Sequence, residues 1–209
     1  MSSNGAHSLV LASDYRVPDV SRIRPAMEDW RPNLAAIGAH HVVIYTSNTE
    51  PGRVLVTIGI RQRQPLRELL RSHAIFEWFD DAGIDDIPAV FAGEIVDKIA
   101  IGDQPSKGAV AGTVVAAMSS VDDVPSLLAE IHNGLDTLSK AGVRKIWVYQ
   151  ALDDERELMM LHQLDDEDRA RRWINHPALA ERMSHTGSGA YPPPFVGSLS
   201  DVMTIEAAG

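Results

Sequence analysis

Displaced by 104 residues, this chain aligns with itself without a gap. Residues 9–102 and 113–206 share 17 identities, among them Val10/Val114, Asp19/Asp123, Gly38/Gly142, Tyr45/Tyr149, Gly93/Gly197 and Ile101/Ile205. A repeat of this length decides architecture before any local reading. It predicts two copies of one unit, residues 8–102 and 113–206, joined by a linker at 103–112 that carries Pro105, Gly108 and Gly112.

Each copy reads β-α-β-β-α-β. In the first, Leu9–Val17 predicts a strand, Asp19 an N-cap, and a helical stretch runs on to Gly38, a good C′ residue. Pro25 and Pro32 predict a kink or a late start in that helix. His41–Ser47 and Val54–Ile60 predict a hairpin around Glu50-Pro51-Gly52. Apolar residues at helical spacing over Leu66–Asp81 predict a second helix that Gly83 stops, and Phe91–Ile101 the last strand. The second copy repeats the order with Thr113–Val121, Asp123–Gly142, Lys145–Ala151, Leu158–Leu164, Asp168–Ser184 and Phe195–Glu206.

Such a unit makes a four-stranded antiparallel sheet with both helices on one face. A sheet with one wet face alternates apolar and polar residues. Val54-Leu55-Val56-Thr57-Ile58 and Ile146-Trp147-Val148-Tyr149 are instead apolar on both parities. Both faces need cover, and a covalently linked second copy supplies it at high effective concentration. The expected fold is α+β: two ferredoxin-like repeats packed sheet to sheet as an intramolecular dimeric α+β barrel.

Composition narrows function. A net charge of -10 opposes a nucleic-acid surface, which needs an excess of Lys and Arg, and weakens any case for anionic membranes. Without cysteine there is no disulfide, thiolate nucleophile or zinc-thiolate site. No window approaches the length of a membrane span, and the start lacks a signal-peptide pattern. The expectation is a cytoplasmic protein without nucleic-acid or membrane partners, with room for a homo-oligomer.

The pattern resembles the dimeric α+β barrel superfamily, and within it the antibiotic-biosynthesis-monooxygenase branch, fused in tandem. Trp173-Ile174-Asn175-His176-Pro177-Ala178-Leu179-Ala180-Glu181 carries the most specific local likeness, a second helix that breaks and restarts near His-Pro. The superfamily holds cofactor-free oxygenases, haem-degrading oxygenases, isomerases and proteins without known activity, so the resemblance does not choose a reaction. It implies a pocket between sheet and helices inside each unit. In haem-degrading members a first-strand Asn, a second-helix Trp and a His ten residues on act together. Trp173 matches the Trp, but position 183 is Met and Thr113–Met118 has no Asn.

His176 is the candidate proton carrier, because an imidazole exchanges protons near neutral pH. A cap before Pro177 would explain it equally. Trp173, Tyr149, His162, Met183 and His185 are the candidate substrate-binding residues, each with a packing explanation beside it. His73 reads as buried and His132 as solvated. His40 and His41 are adjacent, so they should point to opposite faces of a strand, and no metal-ligand spacing is present. No second-copy histidine aligns with one in the first copy, so two equivalent sites are not expected.

The sequence reading is a cofactor-independent monooxygenase or isomerase acting on a small apolar molecule, aromatic or polyketide-like, in the second-repeat pocket. No metal and no cofactor is assigned. The alternatives are a non-catalytic ligand-binding or scaffold protein of the same fold and, third, a haem-binding or haem-degrading protein.

Overall fold

A computed structural model describes residues 9–81, 83–84, 87–102, 112–177 and 192–206. The first repeat contains β1 (Leu9–Arg16), a 3-10 turn (Val20–Arg22), α1 (Ile23–Asp29), α2 (Arg31–Ala36), β2 (Ala39–Ser47), β3 (Arg53–Ile60), α3 (Arg63–Arg71), α4 (Ala74–Asp81) and β4 (Ala89–Ala100). The second contains β5 (Thr113–Ser120), α5 (Val124–Asn133), α6 (Leu135–Ala141), β6 (Val143–Ala151), β7 (Glu157–Leu164), α7 (Glu167–Ile174) and β8 (Phe195–Thr204). The strands hydrogen-bond in the closed order β1-β3-β2-β8-β5-β7-β6-β4, an eight-stranded α+β barrel. None of the described helices is long and apolar enough to cross a membrane.

Local chemistry accounts for most element ends. Asp19 accepts the Ser21 amide at 2.9 Å, and Asp123 accepts the Ser126 amide at 3.3 Å, so both act as N-caps. Gly38 and Gly142 close the first helical stretch of each repeat with φ of 75° and 89°, a left-handed conformation that favours glycine. Pro51 and Gly52 form the β2–β3 turn, with Gly52 at φ 79° and the Arg53 amide donating to the Glu50 carbonyl.

Each expected first helix is broken in two. The break falls at Trp30 in the first repeat and at Gly134 in the second, positions related by the repeat. Pro25 lies in the first turn of α1, and Pro32 in the first turn of α2. The first-repeat helix thus starts late, at Ile23, and breaks two residues before Pro32, in keeping with the expectation from its prolines. The long second helix of the first repeat also splits, at Ser72 and His73, and His73 is exposed rather than buried.

Contacts divide the chain into two units. One holds the chain up to Ala92 together with the stretch from Ser200; the other is Gly93–Leu199. The boundary therefore cuts the closing strand of each repeat instead of the linker. In the second unit, β4 from Gly93 to Ala100 pairs antiparallel with β6, with a bulge between Ile95 and Asp97. In the first, the Ile205 amide donates to the His40 carbonyl at 3.1 Å, and Arg31 donates to the Thr204 carbonyl at 2.8 Å. Every residue of β3 is buried, as are seven of the eight in β1 and in β5, so both faces of these strands are covered.

His40 and His41 do not point to opposite faces. A bulge between Ala39 and His41 turns both imidazoles to one side, their Nδ1 atoms 2.7 Å apart, one donating and one accepting. Gly59 lies beneath them, where a Cβ would come within 2.3 Å of the His41 ring. Among the described residues no group of three potential ligands could hold a metal ion.

Candidate functional site

α7 positions the candidate site. Asp166 caps it by accepting the Arg169 amide at 2.8 Å, with Glu167 and Asp168 in its first turn and Arg171 and Arg172 in its last. That charge order complements the helix macrodipole. Ala170 and Trp173, three residues apart, form its buried stripe. The helix ends at Asn175, and His176 follows in the turn, its amide donating to the Trp173 carbonyl at 3.0 Å. Pro177 disfavours helical geometry at His176, which explains the stop.

Trp173 is 2% exposed and belongs to the second unit's core with Ile131, Leu138, Val115, Ile146 and Met160. His162, 1% exposed, lies on the same face. In register it stands opposite Val115 on β5 and Ile146 on β6, both members of that core. Directly opposed residues share a sheet face, so His162 projects toward the helices.

Three rings then follow in contact. His162 meets Trp173 edge to face, with centroids 5.7 Å apart and planes at 61°. Trp173 meets His176 at 5.3 Å and 33°. The indole Nε1 is buried without a hydrogen-bond partner among the described residues. His176 is half-buried and borders a surface cleft of about 480 Å³ between α6 and α7, lined also by Thr137, Lys140, Ala141, Arg169 and Arg172. The stack thus runs from the core to the half-buried His176 at the edge of the cleft.

Three of the sequence candidates, His162, Trp173 and His176, are brought together. Tyr149 is not: it stands opposite Met159 and one residue from Val148, a core member, so it faces away from the helices. Met183 and His185 lie outside the described residues. His132 is exposed, and its Nε2 lies 2.7 Å from an Asp97 carboxylate oxygen. Trp147 is half-buried, with the Lys145 ammonium 4.6 Å above its ring. Burial, with Lys98 nearby, pushes the Lys145 pKa down.

The first repeat has no counterpart of the ring stack. Ile58, Leu69 and Ser72 stand where the second has His162, Trp173 and His176. Its helix-covered face holds a different aromatic group, Tyr15, Trp78 and Phe79, with Trp30 against Trp78. Sequence reasoning missed this group. The signal was present in the loss of Tyr15 and Trp30 to Ser119 and Gly134 at the repeat offset.

No family model and no curated protein matches the chain. Solved structures do. An anthrone oxidase-like protein superposes with a TM-score of 0.70 at 13% identity, covering 100% of this chain and 99% of its own. The fold is that of the dimeric α+β barrels. A ferredoxin-fold protein related to antibiotic biosynthesis monooxygenases, from Listeria monocytogenes, gives 0.55 at 10% identity and covers 96% of this chain and 99% of its own. A monooxygenase-like protein from Listeria innocua gives 0.54 at 11%, covering 93% and 95%.

Proposed function

We propose that the second repeat binds a planar, weakly acidic aromatic ketone and that His176 removes a proton from its benzylic carbon. The observation that carries this reading is the contact of the half-buried His176 ring with the buried Trp173 ring at the edge of a cleft. An indole offers a flat apolar wall, and its unpartnered N–H suits a ketone or phenolate oxygen. The likeness to an anthrone oxidase-like protein supports this substrate class.

The chemistry asks little of the protein: a positioned base and an environment that excludes water. Deprotonation leaves a carbanion that dioxygen oxidises. The CH2 of an anthrone becomes a carbonyl, taking one oxygen atom, and the other oxygen leaves as water with the two hydrogens. The absence of Asn from β5 counts against the haem-degrading alternative.

The test is anthrone in air-saturated buffer, followed by oxygen uptake and anthraquinone absorbance. Wild type is expected to outpace buffer, and His176→Ala to lose about 100-fold or more of that acceleration with its melting temperature unchanged. A wild type no faster than buffer sinks the catalytic reading, and binding without turnover turns the site into a ligand-binding one.

A further inference from the structure

Of the 19 lysines and arginines in the chain, only Lys98, Lys107, Lys140 and Lys145 are lysines. The distinction matters chemically. A guanidinium stays protonated in a protein, whereas an ammonium gives up its proton where its surroundings disfavour charge. Two of these few lysines meet on one face of one sheet. On β4 and β6, Ile99 stands opposite Ile146, and both belong to the core under the helices of the second unit. Alternation turns their neighbours to the other face. There Lys98 stands opposite Trp147, and Ala100 opposite Lys145.

The Lys145 ammonium lies 4.6 Å over the Trp147 ring, and Lys98 flanks the same ring from β4. Diagonal neighbours such as Lys98 and Lys145 are roughly 7–8 Å apart, within reach of long side chains. No carboxylate joins them among the described residues. Asp97 is engaged by His132, and Arg144 engages Asp165. On β7 the residues opposite Lys145 and Trp147 are Gln163 and Leu161, neither of them charged. Burial, and then the charge of Lys98, lowers the Lys145 pKa. Lys98 and Ala100 are exposed while Lys145 and Trp147 are half-buried, so the amine is reachable beside the small Ala100.

We propose that Lys145 is a nucleophilic amine and that this face is a second site, for an aromatic aldehyde carrying an anionic group. The amine lone pair attacks the aldehyde carbon and a C–N bond forms. The aldehyde oxygen then leaves as water with the two amine hydrogens, which gives an imine. Trp147 offers the ligand a flat apolar surface. Lys98 attracts the anionic group and disfavours a second positive charge on Lys145. The cleft at His176 belongs to the helix-covered face, so this site stands or falls independently of the aromatic-ketone reading.

The test treats the whole chain with 4-formylbenzoate and, in parallel, with uncharged benzaldehyde. Sodium cyanoborohydride fixes each imine, and peptide masses give the labelling rate at each lysine. At pH 7 Lys145 is expected to react several-fold faster than the exposed Lys140, with a smaller lead for benzaldehyde. The lead should vanish above about pH 10.4, where ordinary lysines also lose their protons. Lys98→Met keeps the length of the side chain without its charge. It should melt as wild type does and slow the reaction of formylbenzoate at Lys145 several-fold. Labelling of Lys145 no faster than that of Lys140 in the wild type overturns the proposal. So does a Lys98→Met protein labelled at the wild-type rate, or benzaldehyde showing as large a lead as formylbenzoate.

Discussion

Arg53 grips Asp14 through two parallel hydrogen bonds, Nε to Oδ1 at 2.9 Å and Nη2 to Oδ2 at 2.6 Å, with both side chains buried. Arg53 also reaches Glu50. Burial works against the guanidinium charge, but the bonds from Asp14 and Glu50 outweigh it and raise the Arg53 pKa. Removing Asp14 leaves the buried guanidinium with Glu50 alone, and its two bonds to Asp14 unmade. Asp14→Ala should cost about 2–3 kcal/mol in urea unfolding, less than the roughly 3–5 kcal/mol of a wholly unpaired buried charge because Glu50 remains, and Asp14→Met with Arg53→Met should recover most of it. A single substitution costing under about 1 kcal/mol would show the pair to be wet.

At Arg53's place the second repeat has Glu157, half-buried. Burial pushes its carboxyl up from 4.5, and Asp154 and Asp153 push it further. Between 4.5 and the raised value, the folded protein therefore holds more of this proton than the unfolded chain does. Stability falls as pH rises from about 4.5 through the raised value. Glu157→Gln should melt above wild type at pH 7, and the two should converge below about pH 4. A gap of unchanged size at both pH values would contradict the linkage.

Gly142 has φ 89°, and a Cβ there would meet the Arg169 Cδ at 2.3 Å. Gly142→Ala should cost about 1–2 kcal/mol from the left-handed backbone alone, and should also displace Arg169 from Asp165, with which it pairs at 2.8 Å. Gly134 lies at φ -96°, where a Cβ meets the Glu130 carbonyl at 3.2 Å, so Gly134→Ala should cost less. Equal losses in thermal unfolding would remove the conformational argument.

Tyr15 carries a buried hydroxyl without a partner among the described residues, and burial holds its ionisation far above the ordinary range. Tyr15→Phe keeps the ring contacts and removes an unsatisfied group, so it should be neutral or stabilise the protein by up to about 1 kcal/mol. A clear loss in urea unfolding would reveal a bond to the hydroxyl.

The repeat, the strand patterns and the Pro51-Gly52 turn made the barrel legible, because each is a local or periodic signal. Three features were not. The helix break at Gly134 has no proline to announce it, unlike the one at Trp30, which falls two residues before Pro32 where a kink was expected. The bulge that unites His40 and His41 adds one residue to a strand whose composition is otherwise regular. Tyr149 was expected beside Trp173, but the bulge between Val143 and Lys145 resets the alternation along β6. At the candidate site, helical spacing anticipated Trp173 and His176, and register on β7 was needed to add His162.

The division of β4 and β8 between the two units bears on synthesis. When the ribosome has released the first repeat, the unit that begins at β1 still lacks the stretch from Ser200 onward. The contiguous unit Gly93–Leu199 is therefore complete before the unit that was begun first, and a chain truncated before Ser200 would leave its earlier-made portion without its closing segment.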